Sequence, residues 1–349
     1  MSFKIGKNEI GEGKPVFIIA ELSANHGGDI EIALNSLKAM KDAGADAVKL
    51  QTYTADTLTI DSNKDDFKIH HGTIWDGITL YKLYKEAYTP WEWQPKIKQA
   101  ANDLGLECFS SPFDKSAVDF LEKMNVPAYK IASFEITDIP LIEYAASKGK
   151  PIIISTGIAE MSDIEEALKA CHSVENNDIA LLKCTSSYPA PMEEINLITI
   201  PDMKNRFNVE VGLSDHTLGF TISAAAVALG AVIIEKHFIL DKSIGGPDAS
   251  FSLTPDEFKL MVNSVRDTEK ALGSVRYELS NKTKSSRAFS RSLYIIKDIK
   301  EGELFSEENI KSIRPGFGMH PRHLKEILGK RAKCNIEKGS RLIWDLVNE

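Results

Sequence analysis

The chain has 349 residues, of which 43% are hydrophobic and 26% charged, enough apolar material for a sizeable core and an ordinary balance for a soluble protein. A net charge of −8 argues against a nucleic-acid role. The four cysteines, Cys108, Cys171, Cys184 and Cys334, form no CxxC pair, which excludes a zinc ribbon or a disulfide frame. No apolar run is long enough to span a bilayer, and the opening MSFKIGKNEIGEGKPVFIIAEL lacks the apolar core of a secretory signal. The expectation is a cytoplasmic protein with reduced thiols and no membrane partner.

In chain order, short apolar and β-branched runs alternate with longer segments of helical period. The runs are Val16–Ala20, Ala47–Leu50, Glu107–Ser110, Ala128–Ile131, Pro151–Ser155, Ile179–Lys183, Val209–Gly212 and Val232–Glu235. Each is too short for a helix and too apolar for a half-exposed strand, the pattern of strands buried on both faces in a parallel sheet. Between them, Ile30–Ala43, Lys115–Lys123, Ile139–Ser147, Asp163–His172 and Thr221–Leu229 repeat apolar residues at three and four, as amphipathic helices do. Gly44, Gly105, Asn125, Gly149 and Gly230 stand where helices should stop. Eight such units predict a closed (β/α)8 TIM barrel, about 250 residues in size, closed by a helix over Pro255–Leu272. No glycine-rich dinucleotide fingerprint follows the first strand. One connection is long: between Gln51 and Leu106 lies an insertion with HHGTIWDG and helices near Leu80–Ala87 and Pro90–Asp103, and an insertion there belongs to the active-site face.

After Leu272 the texture changes. Residues 1–273 form the predicted barrel domain, 274–287 a polar linker, and 288–349 a small β-rich domain. From Thr283 onward there are 14 Lys and Arg against 9 Asp and Glu, which leaves the rest at −13. A basic tail on an acidic body suggests that the tail docks on a body, its own or a partner's, or supplies cations to an anionic ligand.

In a barrel of this kind chemistry gathers where strands end. The strand ends carry Glu21, Lys49 and Gln51, Ser110–Asp114, Lys130, Ser133 and Glu135, Ser155-Thr156-Gly157, Lys183, Ser186 and Tyr188, Ser214-Asp215-His216, and Glu235-Lys236-His237. Asp248 follows on a loop. Lysines recur on strands two, four, six and eight. A buried ammonium is costly unless paired, so an anion with phosphate and carboxylate groups, shared with Ser133, Ser155, Ser186 and Ser214, accounts for the four better than coincidence. His216 and His237 close adjacent strands at matched depth and can share a divalent metal with oxygen ligands, for which Mn2+ or Mg2+ suits as well as Zn2+. His70, His71, Trp75, Trp91 and Trp93 surround the insertion, where packing competes with a sugar-stacking wall.

At these residues the chain resembles the sialic acid synthase family. The matching segments are IAELSANHGGD, GADAVKLQTY, ASFEITD, ISTGIAE, LKCTSSYP, GLSDHT, EKHF and GGPDASFSL, in family order, and SRSLYIIKDIKEGE…IRPGFG is similar to its antifreeze-like (SAF) domain. Within the family, GTIWDGITLYKLYKEAYTPWEW and the serine at Ser186, where neuraminate synthases usually carry Asn, resemble the pseudaminic acid synthases. The resemblance implies that phosphoenolpyruvate and water condense with 2,4-diacetamido-2,4,6-trideoxy-L-altropyranose to give pseudaminic acid and phosphate. It implies that His216 and His237 hold the metal. Lys49, Lys130, Ser133, Ser155, Ser186 and Ser214 would hold phosphoenolpyruvate, and Glu21 would orient the aldehyde or a water beside the metal. Gln51, Tyr188 and Asp248 would contact the sugar, and Arg314 would reach it from the SAF domain of the other subunit in a domain-swapped homodimer. The rival readings are an N-acetylneuraminate or legionaminate synthase, a 3-deoxy-octulosonate phosphate synthase, whose family lacks the SAF tail, and a non-catalytic phosphosugar-binding barrel.

Overall fold

The computed structural model describes residues 2–70 and 76–348; His71 and Trp75 of the insertion lie outside the described residues. The chain divides into two compact units, Met1–Gly273 and Ser274–Glu349. The first begins with a hairpin, β1 (Ser2–Ile5) and β2 (Asn8–Gly11). Then come β3 (Phe17–Glu21), β4 (Ala47–Thr52), β5 (Glu107–Pro112), β6 (Tyr129–Ile131), β7 (Ile152–Ser155), β8 (Ile179–Cys184), β9 (Glu210–Asp215) and β10 (Ile233–His237). These eight pair in parallel in chain order, and β10 returns to β3 to close a barrel. Every residue of β3, β9 and β10 is buried, as expected of strands packed between side chains inside and helices outside.

The helices of this unit are α1 (Ile30–Ala43), α2 (Ala55–Leu58), α3 (Leu80–Ala87), α4 (Gln94–Asp103), α5 (Lys115–Lys123), α6 (Ile139–Ala146), α7 (Met161–Ser173), α8 (Thr199–Phe207), α9 (Thr221–Ala228) and α10 (Pro255–Leu272). Short polar residues start several of them. Asp29 accepts from Glu31 N, Asp114 from Ala117 N and Asp138 from Leu141 N, each satisfying a backbone donor the helix cannot. The five residues expected to end helices, Gly44, Gly105, Asn125, Gly149 and Gly230, all have positive φ. The hairpin was not anticipated, because two four-residue strands give too short a pattern. Phe3, Ile5 and Ile10 join the barrel core, while Lys7 N donates to Glu107 Oε1 and Lys7 Nζ to Gly105 O, so the hairpin covers the end where strands begin.

The second unit opens with α11 (Asn281–Ser286), capped by Ser280, inside the stretch read as linker. It continues with an antiparallel pair, β11 (Ser292–Ile295) and β12 (Ile310–Ile313), and a one-turn helix, α12 (Leu324–Ile327). Leu293, Ile295, Phe305, Ile310, Ile327 and Leu342 form its own core. Cys108, Cys171 and Cys184 are buried and Cys334 is exposed. Among the described residues no helix is long and apolar enough to cross a membrane.

Ile153 is fully buried in the middle of β7. Ile153→Ala should lower the unfolding free energy by about 2–5 kcal/mol. Urea unfolding followed by circular dichroism checks this, and an unmoved midpoint would contradict a packed interior.

Candidate active site

Strand residues alternate between two faces, and parallel neighbours in register point the same way. Glu21 is paired in register with Lys49 and with His237, and Glu235 with Ser214, which is itself level with Cys184. These residues therefore share the inner face at the ends of their strands. All but Cys184 open into a cavity of about 430 Å³ lined also by Gln51, Lys130, Ser133, Glu135, Ser155, Tyr188, His216 and Asp248. Two of the four strand-end lysines do not reach it, which corrects the expectation that all four share an anion. Lys183 and Lys236 fall one residue out of phase, on the outer face. Lys183 donates to Cys184 O at 2.7 Å beside a separate, smaller cavity lined by residues of α7 and α8. Lys236 is buried against Asp215 at 2.9 Å and Thr217 O at 2.6 Å.

The inner lysines belong to a charge array. Lys49 Nζ lies 2.6 Å from Glu21 Oε1 and 3.4 Å from Glu235 Oε1, and Lys130 Nζ lies 3.8 Å from Glu235 Oε1. All four side chains are at most 3% exposed. Burial alone would push the Glu21 carboxyl up, but His237 and Lys49 outweigh it and hold it well below the usual carboxylate range. Burial likewise opposes the Lys49 ammonium, and Glu21 and Glu235 overcome that to raise its pKa. Lys130 is less well compensated: burial wins and its pKa is lowered. It donates to Ser155 Oγ at 2.6 Å. Glu235, singled out in the sequence only as a flank of His237, accepts from Ser214 Oγ at 3.2 Å and keeps its Oε2 without a hydrogen-bond partner. Its signal was its spacing, two residues before His237 and therefore on the same face.

Near Lys130 the missing side chain of Gly157 lets three polar side chains approach its backbone. Gly157 N donates to Ser133 Oγ at 3.1 Å. A Cβ on Gly157 would collide with Ser186 Oγ, Ser133 Oγ and Cys184 Sγ. Ser186 packs against Gly157 and does not line the main cavity. Burial would raise the Cys184 thiol, but His216, Ser133 and Lys130 bring it down to about 7. The Lys130 ammonium beside the hydroxyls of Ser133 and Ser155 on the cavity wall suits a phosphate or carboxylate.

The two imidazoles meet across the cavity, with ring centroids 5.3 Å apart. His216 Nδ1 is 3.2 Å from Thr185 O, a carbonyl that can only accept, so Nδ1 donates there and Nε2 is the nitrogen left for another partner. His237 Nε2 faces Glu21 Oε2 at 3.1 Å, while its Nδ1 is buried without a hydrogen-bond partner, 3.6 Å from Asp248 Oδ2. Among the described residues no three His, Cys, Asp or Glu side chains converge as a ready-made metal cluster. Two oriented imidazoles, one with an unsatisfied nitrogen beside the Asp248 carboxylate, nevertheless fit a divalent cation whose other ligands are oxygens from solvent or substrate.

The cavity wall also holds Gln51, which donates to Glu21 Oε1 at 2.9 Å and Ser23 Oγ at 3.0 Å, and Tyr188, whose ring lies 4.6 Å from that of His216. Trp91 and Trp93 pack elsewhere: Trp91 donates to Tyr53 O and lies against Phe120, and Trp93 meets His26 edge-on. His70 does not line the cavity. Arg314 belongs to the second unit.

Comparison with known proteins adds an independent line. The model of the NeuB family matches residues 36–277, and that of the SAF domain matches residues 290–348. Pseudaminic acid synthase of Campylobacter jejuni is 53% identical over 329 residues, 94% of this chain and 96% of that protein. Pseudaminic acid synthase of Helicobacter pylori is 48% identical over 333 residues, 95% of this chain and 98% of that protein. The crystal structure of N-acetylneuraminic acid synthetase from Leptospira borgpetersenii in complex with citrate superposes with a TM-score of 0.73 at 32% identity, covering 82% of this chain and 95% of that one.

Glu135, on the cavity wall, supplies a pH-dependent term. Burial, opposed by Lys130, pushes its carboxyl from 4.5 up to about 7. The folded state thus favours the protonated form, so this contribution is full below 4.5 and is lost as pH rises through about 7. Glu135→Gln should flatten stability across that window and exceed the wild type above it by up to roughly 3 kcal/mol, at about 1.4 kcal/mol per unit. Urea unfolding at a series of pH values tests it; identical slopes for the two proteins would refute it.

Proposed function

The chain belongs to the NeuB family of sialic acid synthases, and from that premise we propose that it condenses phosphoenolpyruvate and water with 2,4-diacetamido-2,4,6-trideoxy-L-altropyranose, releasing phosphate and forming pseudaminic acid. The observation that carries this reading is the juxtaposition of Lys49, Lys130 and the hydroxyls of Ser133, Ser155 and Ser214 with an imidazole pair in one cavity. Full-length similarity to two pseudaminic acid synthases supports that product over N-acetylneuraminate or legionaminate.

Lys49 and Lys130, with the hydroxyls of Ser133, Ser155, Ser186 and Ser214, hold the carboxylate and phosphate of phosphoenolpyruvate. This orients its terminal vinyl carbon toward the sugar. That carbon bonds to the aldehyde carbon, and the aldehyde oxygen becomes a hydroxyl. Positive charge develops at the carbon bearing phosphate, water adds there, and the C–O bond to phosphate then breaks. A divalent cation, Mn2+ or Mg2+, held by His216 and His237 would supply Lewis acidity at the aldehyde oxygen. Glu21 orients the aldehyde or the water beside it. Glu135, with a carboxyl near neutrality, is placed to exchange a proton in the same cavity. Gln51, Tyr188 and Asp248 contact the sugar. In this reading the protein is a cytoplasmic homodimer in which Arg314 of the partner subunit approaches the sugar, an arrangement favoured by the basic tail and acidic body.

Phosphate release with the precursors of pseudaminate, legionaminate and N-acetylneuraminate should be fastest with the first; a faster rate with either of the others would overturn the assignment. His216→Ala should abolish metal-dependent turnover and keep the folded circular dichroism spectrum, whereas full activity in metal-free buffer would refute the metal role. Gly157→Ala should displace the Ser133 and Ser186 hydroxyls packed against it and raise the KM for phosphoenolpyruvate about tenfold or more, at about 1.4 kcal/mol per decade; an unchanged KM would move the anion elsewhere. Arg314→Ala should impair sugar use far more than phosphoenolpyruvate use, and equal losses would argue against the swapped arginine.

A further inference from the structure

Helix α3 buries none of its residues, although its apolar positions Leu80, Leu83, Tyr84 and Ala87 recur at helical spacing on one stripe. An eight-residue helix gains little from propensity alone and normally relies on packing that stripe. Here the stripe lines the cavity. Tyr53 and Phe113 extend the same surface, their rings 5.1 Å apart edge to face, and Tyr84 meets Tyr53 at 5.7 Å. The cavity is therefore divided by origin. Its charged and hydroxyl groups come largely from strand ends, and most of its apolar wall comes from the insertion after β4 and the residue that follows β5.

We propose that this wall is the specificity-determining surface for the far end of the sugar. It accepts a 6-deoxy hexose and disfavours the 6-hydroxy counterpart. The inference rests on the condensation reading above, because that reading fixes which way the sugar lies. The aldehyde carbon must meet phosphoenolpyruvate beside Lys49, Lys130 and the imidazoles. The opposite terminus of an open-chain hexose is then directed away from the strand ends, toward α3. A methyl group there buries apolar surface against Leu80, Leu83 and Ala87, none of which offers a side-chain hydrogen-bond partner. A hydroxymethyl group seated against these three would lose a hydrogen bond to water and gain none from them, the polar residues of the insertion that line the cavity being Tyr53, Asp66, Lys68 and Tyr84 among the described residues. Discrimination of this kind is bounded: an apolar wall rejects an added hydroxyl by about a hundredfold at most.

The test measures kcat/KM for phosphate release with phosphoenolpyruvate and two acetamido-hexoses that differ only in the oxygen at C6. The wild type should favour the 6-deoxy sugar by about 10- to 100-fold. Leu83→Asn should bring the ratio to within about threefold of unity, through the KM for the sugar, with the KM for phosphoenolpyruvate unchanged. A thermal shift on adding phosphoenolpyruvate reports that the variant is folded with its polar end intact. Leu80→Asn, one turn away, carries the same expectation should Leu83→Asn not fold. A wild type that uses both sugars equally, or folded variants that retain its ratio, would overturn the specificity role and leave the condensation standing. Phosphate release with neither sugar nor the other family precursors would overturn both.

Discussion

Two carboxylates and two ammonium groups, closed away from water inside a barrel, are the constraint around which the site is organised. Glu21, Lys49, Glu235 and Lys130 are individually too costly to bury and are tolerable only as a set. Removing one member leaves an uncompensated charge, an effect worth about 3–5 kcal/mol where buried pairs are broken. The array is assembled from strands β3, β4, β6 and β10, distant in sequence and brought together by closure of the sheet between β10 and β3. The hairpin beneath the strands seals the opposite end. Fold and site are thus coupled: the barrel that excludes water also makes these ions hold one another at fixed distances.

The outer faces of β9 and β10 do complementary work. Asp215 accepts from Thr217 N, Thr217 Oγ1 and Ser223 Oγ and pairs with Lys236. Thr217 O in turn accepts from Lys236. This buried network clamps the residues on either side of His216, and the Thr185 carbonyl sets its ring nitrogen. A lysine that reads in sequence as a ligand for substrate is, one residue out of phase, a brace for the imidazole beside it.

The barrel was legible because its signals are local. Eight buried runs and five left-handed stops repeat at short range, and the ends of α1, α3, α5 and α10 coincide with the periodic pattern. The site was legible where residue type and strand end sufficed, as for Glu21, Lys49, Lys130, His216 and His237, all of which line one cavity. It was illegible where phase or three-dimensional proximity decided. Lys183 and Lys236 share their residue type with Lys49, and only register tells them apart. Glu235 hid beside a histidine. Gly157 carries no functional group, and its importance is the volume it leaves to Ser133, Ser186 and Cys184. The hairpin gave too few residues for a period to emerge.

The placement of sulfur has a practical corollary. Cys108, Cys171 and Cys184 are shut inside the larger unit, while Cys334 stands exposed on the smaller one. Burial pushes the Cys108 and Cys171 thiols up to about 12, which further suppresses the reactive thiolate at those two positions. A maleimide dye or nitroxide offered to the native protein therefore has one favoured attachment point, in the C-terminal unit. The wild-type chain thus carries its own address for a single spectroscopic label.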